Sequence, residues 1–152
     1  MTHANRGFTL IELLMVIAII GLLASIILAS LATARSKGID AQIQRQLNAL
    51  RSQAELYGLD NSNSYSGFCG NSTTTTMLTT VRIQAGNVTA INTTFATAGS
   101  DTTITCHDSS NGFAIDVPLK TNSTNTWCVD AQGKSKSNTN SSHVAANSTT
   151  CP

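Results

Sequence analysis

The sequence predicts an α+β protein: a long N-terminal hydrophobic helix whose C-terminal half packs on a small antiparallel β-sheet head. Three observations predict it. Residues 13–34 contain no charged side chain. Ile39, Ile43, Leu47, Leu50, Ala54 and Tyr57 then recur at spacings of 4, 4, 3, 4 and 3. Beyond residue 101, short stretches alternate apolar and polar side chains between runs of turn-forming residues.

The apolar run comes first. The twenty-two residues between Glu12 and Arg35 are enough to cross a hydrocarbon core as a helix, which takes about 20 residues. Arg6 precedes the run, and Arg35 and Lys37 follow it, so the basic flanks do not by themselves set an orientation. Glu12 is the anomaly. If the run were a secretory signal cut after Ala34, or a plain membrane anchor, that carboxylate would be pure cost, about 2.5–3.5 kcal/mol at a bilayer centre. A cut after Gly7 gives it a role. Phe8 then becomes an N-terminus with a positive amine, and Glu12 lies four residues on, on the same helix face. An amine and a carboxylate that meet in an apolar bundle lose far less than either alone. Subunits entering such a bundle at the wrong axial offset leave both charges unpaired, so the pair sets register.

The stretch "RGFTLIELLMVIAIIGLLA" resembles the prepilin signal of bacterial type IV pilins and the related type II secretion pseudopilins. The resemblance is dense over residues 7–24: a short basic leader ending in Gly, then Phe-Thr-Leu-Ile-Glu-Leu, then a long apolar helix. It implies a pilin-like fold, cleavage between Gly7 and Phe8 by a prepilin peptidase, and N-methylation of Phe8. It also implies that Glu12 pairs with the N-terminus of a neighbouring subunit during assembly. Gly21 falls at a common helix-weakening position of the family, whereas Ala29 stands where a proline is often found.

The helix is expected to continue past Arg35, with Ile39 to Tyr57 as the face laid on a core and Asp40, Gln44, Arg45, Arg51 and Gln53 mostly elsewhere. Gly38 is a soft spot in this reading and Gly58 a stop. From Phe8 to Tyr57 such a helix runs roughly 75 Å. The apolar half of so long a rod needs lipid first and other rods later. The predicted organisation is therefore a cleaved leader (1–7), a transmembrane and filament-core helix (8–34), its amphipathic continuation (35–58) and a globular head (59–152).

In the head, residues 59–76 read as a surface loop. Residues 77–84 and 88–95 are strand candidates, and "TTITCH" (102–107) alternates better. "GFAIDVPL" (112–119) is the clearest strand, with Phe113, Ile115 and Val117 on one face and Ala114 and Asp116 on the other. Pro118 suits a strand end. "TWCVDA" (126–131) places Trp127 and Val129 together. Three or four antiparallel strands are expected. The tail, residues 132–152, reads as too polar to bury much of itself.

Four cysteines, all beyond residue 60 and with no C-x-x-C pair, point to two disulfides if the head lies outside the cytoplasm. The resemblance implies a disulfide-bounded C-terminal region, Cys128–Cys151, which leaves Cys69 with Cys106; by sequence alone the other two connectivities stay open.

Chemistry is sparse. His107 and Asp108 are adjacent, so on a strand they face opposite ways, and they read as polar turn residues otherwise. No nucleophile-elbow or zinc-protease motif occurs. His107, His143 and the cysteines lack zinc spacing. Asp101, Asp108 and Asp130 are too scattered for a calcium site, which the resemblance associates with major pseudopilins. Arg82, Lys120, Lys134 and Lys136 read as solvated charges. A net charge of +1 gives no reason to expect specific nucleic-acid binding. Asn-x-Ser/Thr triplets begin at Asn71, Asn87, Asn92, Asn122, Asn140 and Asn147, as an Asn- and Thr-rich chain produces by chance.

The expected function is thus that of a structural subunit, a major type IV pilin, with no enzymatic activity, cofactor or metal. It would form a helical homo-oligomer, held in the inner membrane as a precursor and then displayed at the cell surface. The resemblance implies a prepilin peptidase, an inner-membrane assembly platform and assembly ATPases as partners. The alternative is a pseudopilin or minor pilin of a type II secretion or DNA-uptake system. A secreted binding domain released after Ala34 is a third possibility.

Overall fold

The computed structural model describes residues 7–152, apart from the side chain of Ala29. Residues 1–6 of the expected leader lie outside the described residues. The chain divides into two units, the first running to Arg35 and the second covering Ser36–Pro152. The first helix, α1, spans Leu10–Asp60 and is unbroken at both Gly21 and Gly38.

In the first unit the large apolar side chains stand in the open, from Phe8 and Leu10 (both 76% exposed) through Ile20 (59%) to Leu31 (61%). This is the one helix among the described residues long and apolar enough to cross a membrane.

In the second unit, Ile43, Leu47, Leu50 and Ala54 of α1 are fully buried, as their spacing requires. Asp40 joins them, and here the structure departs from the expected polar face. Its carboxylate accepts hydrogen bonds from the backbone N–H of Lys120 (2.5 Å) and Thr121 (3.2 Å) and from the Thr121 hydroxyl, anchoring the loop after residue 118 to the helix. Gly58 does not stop α1. A Cβ there would lie 3.1 Å from the Tyr65 ring, so glycine serves close packing. The chain turns after Asp60, where Ser62 and Asn63 take left-handed backbone conformations.

The strand candidate at 77–84 is overturned, and so is the end of the loop expected at 59–76. Helix α2 occupies Ser72–Ala85. Asn71 caps it by accepting from Thr73 N–H, and Gly86 closes it in a left-handed conformation (φ 67°). β-Branched threonines are poor helix formers. Here the hydroxyls of Thr75, Thr76, Thr79 and Thr80 donate to carbonyls three or four residues back, while Thr74, Leu78, Val81 and Ala85 face the core at spacings of 4, 3 and 4.

The sheet has five strands in sequence order: β1 (Ala90–Asn92), β2 (Thr103–Ser109), β3 (Gly112–Pro118), β4 (Thr126–Asp130) and β5 (Ser135–Asn138). Pairing is antiparallel except between β1 and β2, which run parallel. One sheet face supplies Ile104, Cys106, Phe113, Ile115, Val117 and Val129 to the core shared with the two helices. Phe113 stacks at tilted angles against Tyr65 (5.3 Å) and Phe68 (5.5 Å), and Phe68 against Tyr57 (5.7 Å).

The other face is covered too, by a tail that buries little of itself, as expected: Asn138, Val144 and Cys151 are its buried residues. β3 is buried along its whole length. Residues 139–151 lie over Ala114 and Cys128, contributing Val144 and Cys151 as a second small apolar cluster. The rest of the contact is polar. Asp130, fully buried, accepts from the backbone N–H of Gln132 (3.0 Å), Lys134 (2.9 Å) and Cys151 (2.9 Å). Lys134 Nζ donates to the Cys151 carbonyl at 2.8 Å. The tail is thus held on the sheet by hydrogen bonds and a disulfide while most of its polar residues stay in contact with water. Asp130→Ala should strand three donors and lower unfolding stability by about 3 kcal/mol. Denaturant titration of the full chain in detergent reads this as a reduced midpoint at unchanged slope; an unchanged midpoint would contradict it.

Candidate assembly site

Glu12 lies in the first turn of α1, whereas Phe8 stands two residues ahead of the helix and so does not share with it the helix face that the sequence reading expected. In the uncut chain Phe8 N is a peptide nitrogen, so no amine faces Glu12. The carboxylate has a different local role. Glu12 Oε2 accepts from Thr9 N–H (2.9 Å) and from the Thr9 hydroxyl (2.7 Å), while Thr9 Oγ1 accepts from Glu12 N–H (3.3 Å). This reciprocal exchange is a capping box, with Thr9 at the cap and Glu12 three residues on. Sequence reading missed Thr9, although Thr-x-x-Glu ahead of an apolar run is the signal for it. Oε1 makes no hydrogen bond among the described residues. One carboxylate oxygen is therefore committed to starting the helix. The carboxylate sits on the exposed, apolar part of the helix.

The remaining residues singled out by sequence are dispersed. Cys69 and Cys106 form one disulfide and Cys128 and Cys151 the other, and no cysteine is free among the described residues. The first ties the loop before α2 to the inner face of β2, the second ties the tail to the outer face of β4. His107 is not in a turn but fully buried in β2; its ring nitrogens meet the carbonyls of Ser148 (2.9 Å) and Thr97 (3.0 Å). Asp108 faces the other way and accepts from Cys69 N–H at 2.9 Å. Among the described residues no group of three or more His, Cys, Asp or Glu side chains is arranged to hold a metal ion. Arg82 donates to the Thr89 carbonyl and Lys134 to that of Cys151, so these charges serve separate loops. The Asn-x-Thr triplets have a structural use: Asn71, Asn92 and Asn122 each accept from the N–H two residues on, at 2.9, 2.9 and 3.1 Å. The spacing of the triplet is that of an Asx-turn.

The fold and the assembly site define a class: a protein built on a membrane-capable helix that heads a small disulfide-bonded α+β unit. Residues 2–28 match the family described as the prokaryotic N-terminal methylation motif. The chain is similar to the type IV wide pilus major component PilA4 of Thermus thermophilus, 47% identical over 60 residues, which is 40% of this chain and 45% of that protein. It is also similar to the type II secretion system core protein G of Dickeya chrysanthemi, 40% identical over 62 residues (41% of this chain, 40% of that protein), and of Escherichia coli, 38% over 60 residues (40% and 41%). The matched length is thus less than half of each of these relatives. No solved structure gives a significant match. In its N-terminal motif and over these matched stretches the chain is similar to type IV pilins and type II secretion pseudopilins.

Proposed function

We propose that this chain is a major type IV pilin, a structural subunit that leaves the membrane to polymerise into a helical surface filament. The observation that carries the reading is the exposed apolar surface from Phe8 along α1 to Leu31, with a single carboxylate at its head. At about 25 cal/mol per Å² of apolar area removed from water, side-by-side packing of such helices is the main driving force once the subunit leaves lipid. Prepilin peptidase would cut between Gly7 and Phe8, and the new amine of one copy would pair with Glu12 of the next. An inner-membrane platform and assembly ATPases would supply extraction. The chain itself would carry no catalytic role.

A second reading, a pseudopilin or minor pilin, is favoured by the likeness to the core protein G of type II secretion. Two features of the head support the major-pilin reading. The C-terminal region is closed by Cys128–Cys151, and both oxygens of Asp130, the only carboxylate beyond residue 116, are turned to N–H donors. Mass spectrometry of sheared surface filaments tests the proposal. The expected result is this chain as the dominant species, beginning at methylated Phe8. A chain that begins at Arg35, or one present only in trace among the filaments, would overturn it.

A further inference from the structure

We propose that the C-terminal segment is a proton-dependent latch: His143 holds it on the outer face of the sheet and releases it, still tethered by Cys128–Cys151, when the imidazole loses a proton. The proposal is independent of the filament reading.

His143 lies between two carboxylates from different elements. Its Nδ1 is 2.8 Å from Asp116 Oδ2 on β3, and its Nε2 is 2.9 Å from Asp101 Oδ1 in the loop before β2. The His143 side chain is 8% exposed, that of Asp116 0% and that of Asp101 39%. Ionised carboxylates only accept, so both ring nitrogens have to donate, and only the imidazolium can do this. A neutral ring fills one contact and turns a lone pair on the other. Asp116 depends on this bond, because its second oxygen, Oδ1, is buried without a partner. The neighbouring hydroxyl of Thr105, paired with Asp116 in the ladder, is buried without one as well. Loss of the proton therefore leaves a fully buried carboxylate without a countercharge, which a fold avoids by letting the segment and water move.

The same proton joins three segments. Asp101 also accepts from the Ser141 hydroxyl (2.9 Å), and Gly99 N–H donates to the Val144 carbonyl (3.0 Å). Gly99 has no room for a side chain, since a Cβ would meet His143 Cβ at 2.8 Å and Thr105 Oγ1 at 2.9 Å. His107 on β2 lies under the same two segments, its ring nitrogens 2.9 and 3.0 Å from the carbonyls of Ser148 and Thr97, with the Phe95 ring edge-on at 5.6 Å. Its ladder partner Ala114 is uncharged, and Asp108 beside it is turned to the opposite face.

The direction in pH follows. The hydrogen bond to Asp116, reinforced by Asp101 and opposed by burial, holds His143 above its ordinary value of 6.5. Its contribution is complete below 6.5 and is lost as pH rises through the raised folded value. Asp101 is held below its ordinary value of 3.8, first by His143 and then by Ser141, so its contribution is present above 3.8 and lost as pH falls through the lowered value. The latch is shut in mildly acidic solution and opens on the alkaline side.

Amide exchange of the full chain in detergent micelles, corrected for intrinsic rates, tests this between about pH 5 and about pH 10. Protection of residues 141–147 relative to β3 should be constant on the acid side. Between 6.5 and the raised folded value of His143 it should fall about tenfold per pH unit, and it should level off above the folded value. In His143→Gln it should be low and flat throughout. In Asp101→Asn, which keeps the buried pair, the fall should end at lower pH and be smaller in total. A ratio independent of pH in the unaltered chain, a His143→Gln variant that keeps the wild-type fall, or an Asp101→Asn variant with no displacement would each overturn the proposal.

Discussion

Glu12→Ala subunits are expected to insert in the membrane and to be processed between Gly7 and Phe8, yet to yield no filaments or mis-registered ones. Two losses are combined in that variant. Removing the capping box with Thr9 costs about 1 kcal/mol of helix stability, a cost that a helix embedded in lipid tolerates. Removing one partner of a buried ion pair costs about 3–5 kcal/mol because the other charge is left uncompensated. That is roughly a hundred- to several-thousand-fold in each subunit's association constant. Glu12→Gln separates the two. Glutamine can still serve the capping box through its side-chain oxygen, but it carries no charge for the neighbouring amine. Assembly should therefore fail in Glu12→Gln as it does in Glu12→Ala, while Thr9→Val, which removes only the cap, should still assemble. Yield of sheared filaments against total membrane-bound subunit reads all three. Wild-type yield from Glu12→Gln would count against the pairing.

Phe113→Ala is expected to be the most damaging single change in the second unit. The ring is fully buried, and it links the sheet to Tyr65 and Phe68 in the loop between the helices. Its removal leaves a cavity beside the Tyr65 and Phe68 rings in a closely packed core. Phe→Ala at such sites costs about 3–5 kcal/mol. A domain of this size has about 5–15 kcal/mol in all, so the variant should melt at least ~12 °C lower. Circular dichroism of the full chain in detergent measures it. The apolar part of α1 should keep its helicity through that transition, since it does not draw on this core. A shift of only a few degrees would show that the aromatic cluster is peripheral.

What sequence made legible, and what it did not, follows from the range of the interactions. The apolar half of α1 is a local property, readable residue by residue, and so is the stripe from Ile39 to Tyr57. β2, β3 and β4 were readable because Ile104, Phe113, Ile115, Val117 and Val129 alternate with polar neighbours. α2 was not. Its threonines favour strands by propensity, and the helix is set instead by its caps at Asn71 and Gly86 and by burial of Thr74, Leu78, Val81 and Ala85. The parallel β1–β2 pair was hidden because pairing direction is set by where distant segments land. The outer face was the largest gap. Asp116 alternates like a solvent-facing residue, and nothing local reveals that His143, twenty-seven residues on, covers it. At the assembly site the odd position of Glu12 was plain, whereas its bond to Thr9 was overlooked behind the longer-range pairing.

The pairing between copies is the central claim, and a structure of the assembled filament is its most direct measurement. The account predicts Phe8 as the first residue, with its amine within about 4 Å of Glu12 on an adjacent copy and Thr9 still bonded to the other oxygen. A filament in which Glu12 meets only its own Thr9, or in which no amine lies near it, would contradict the account.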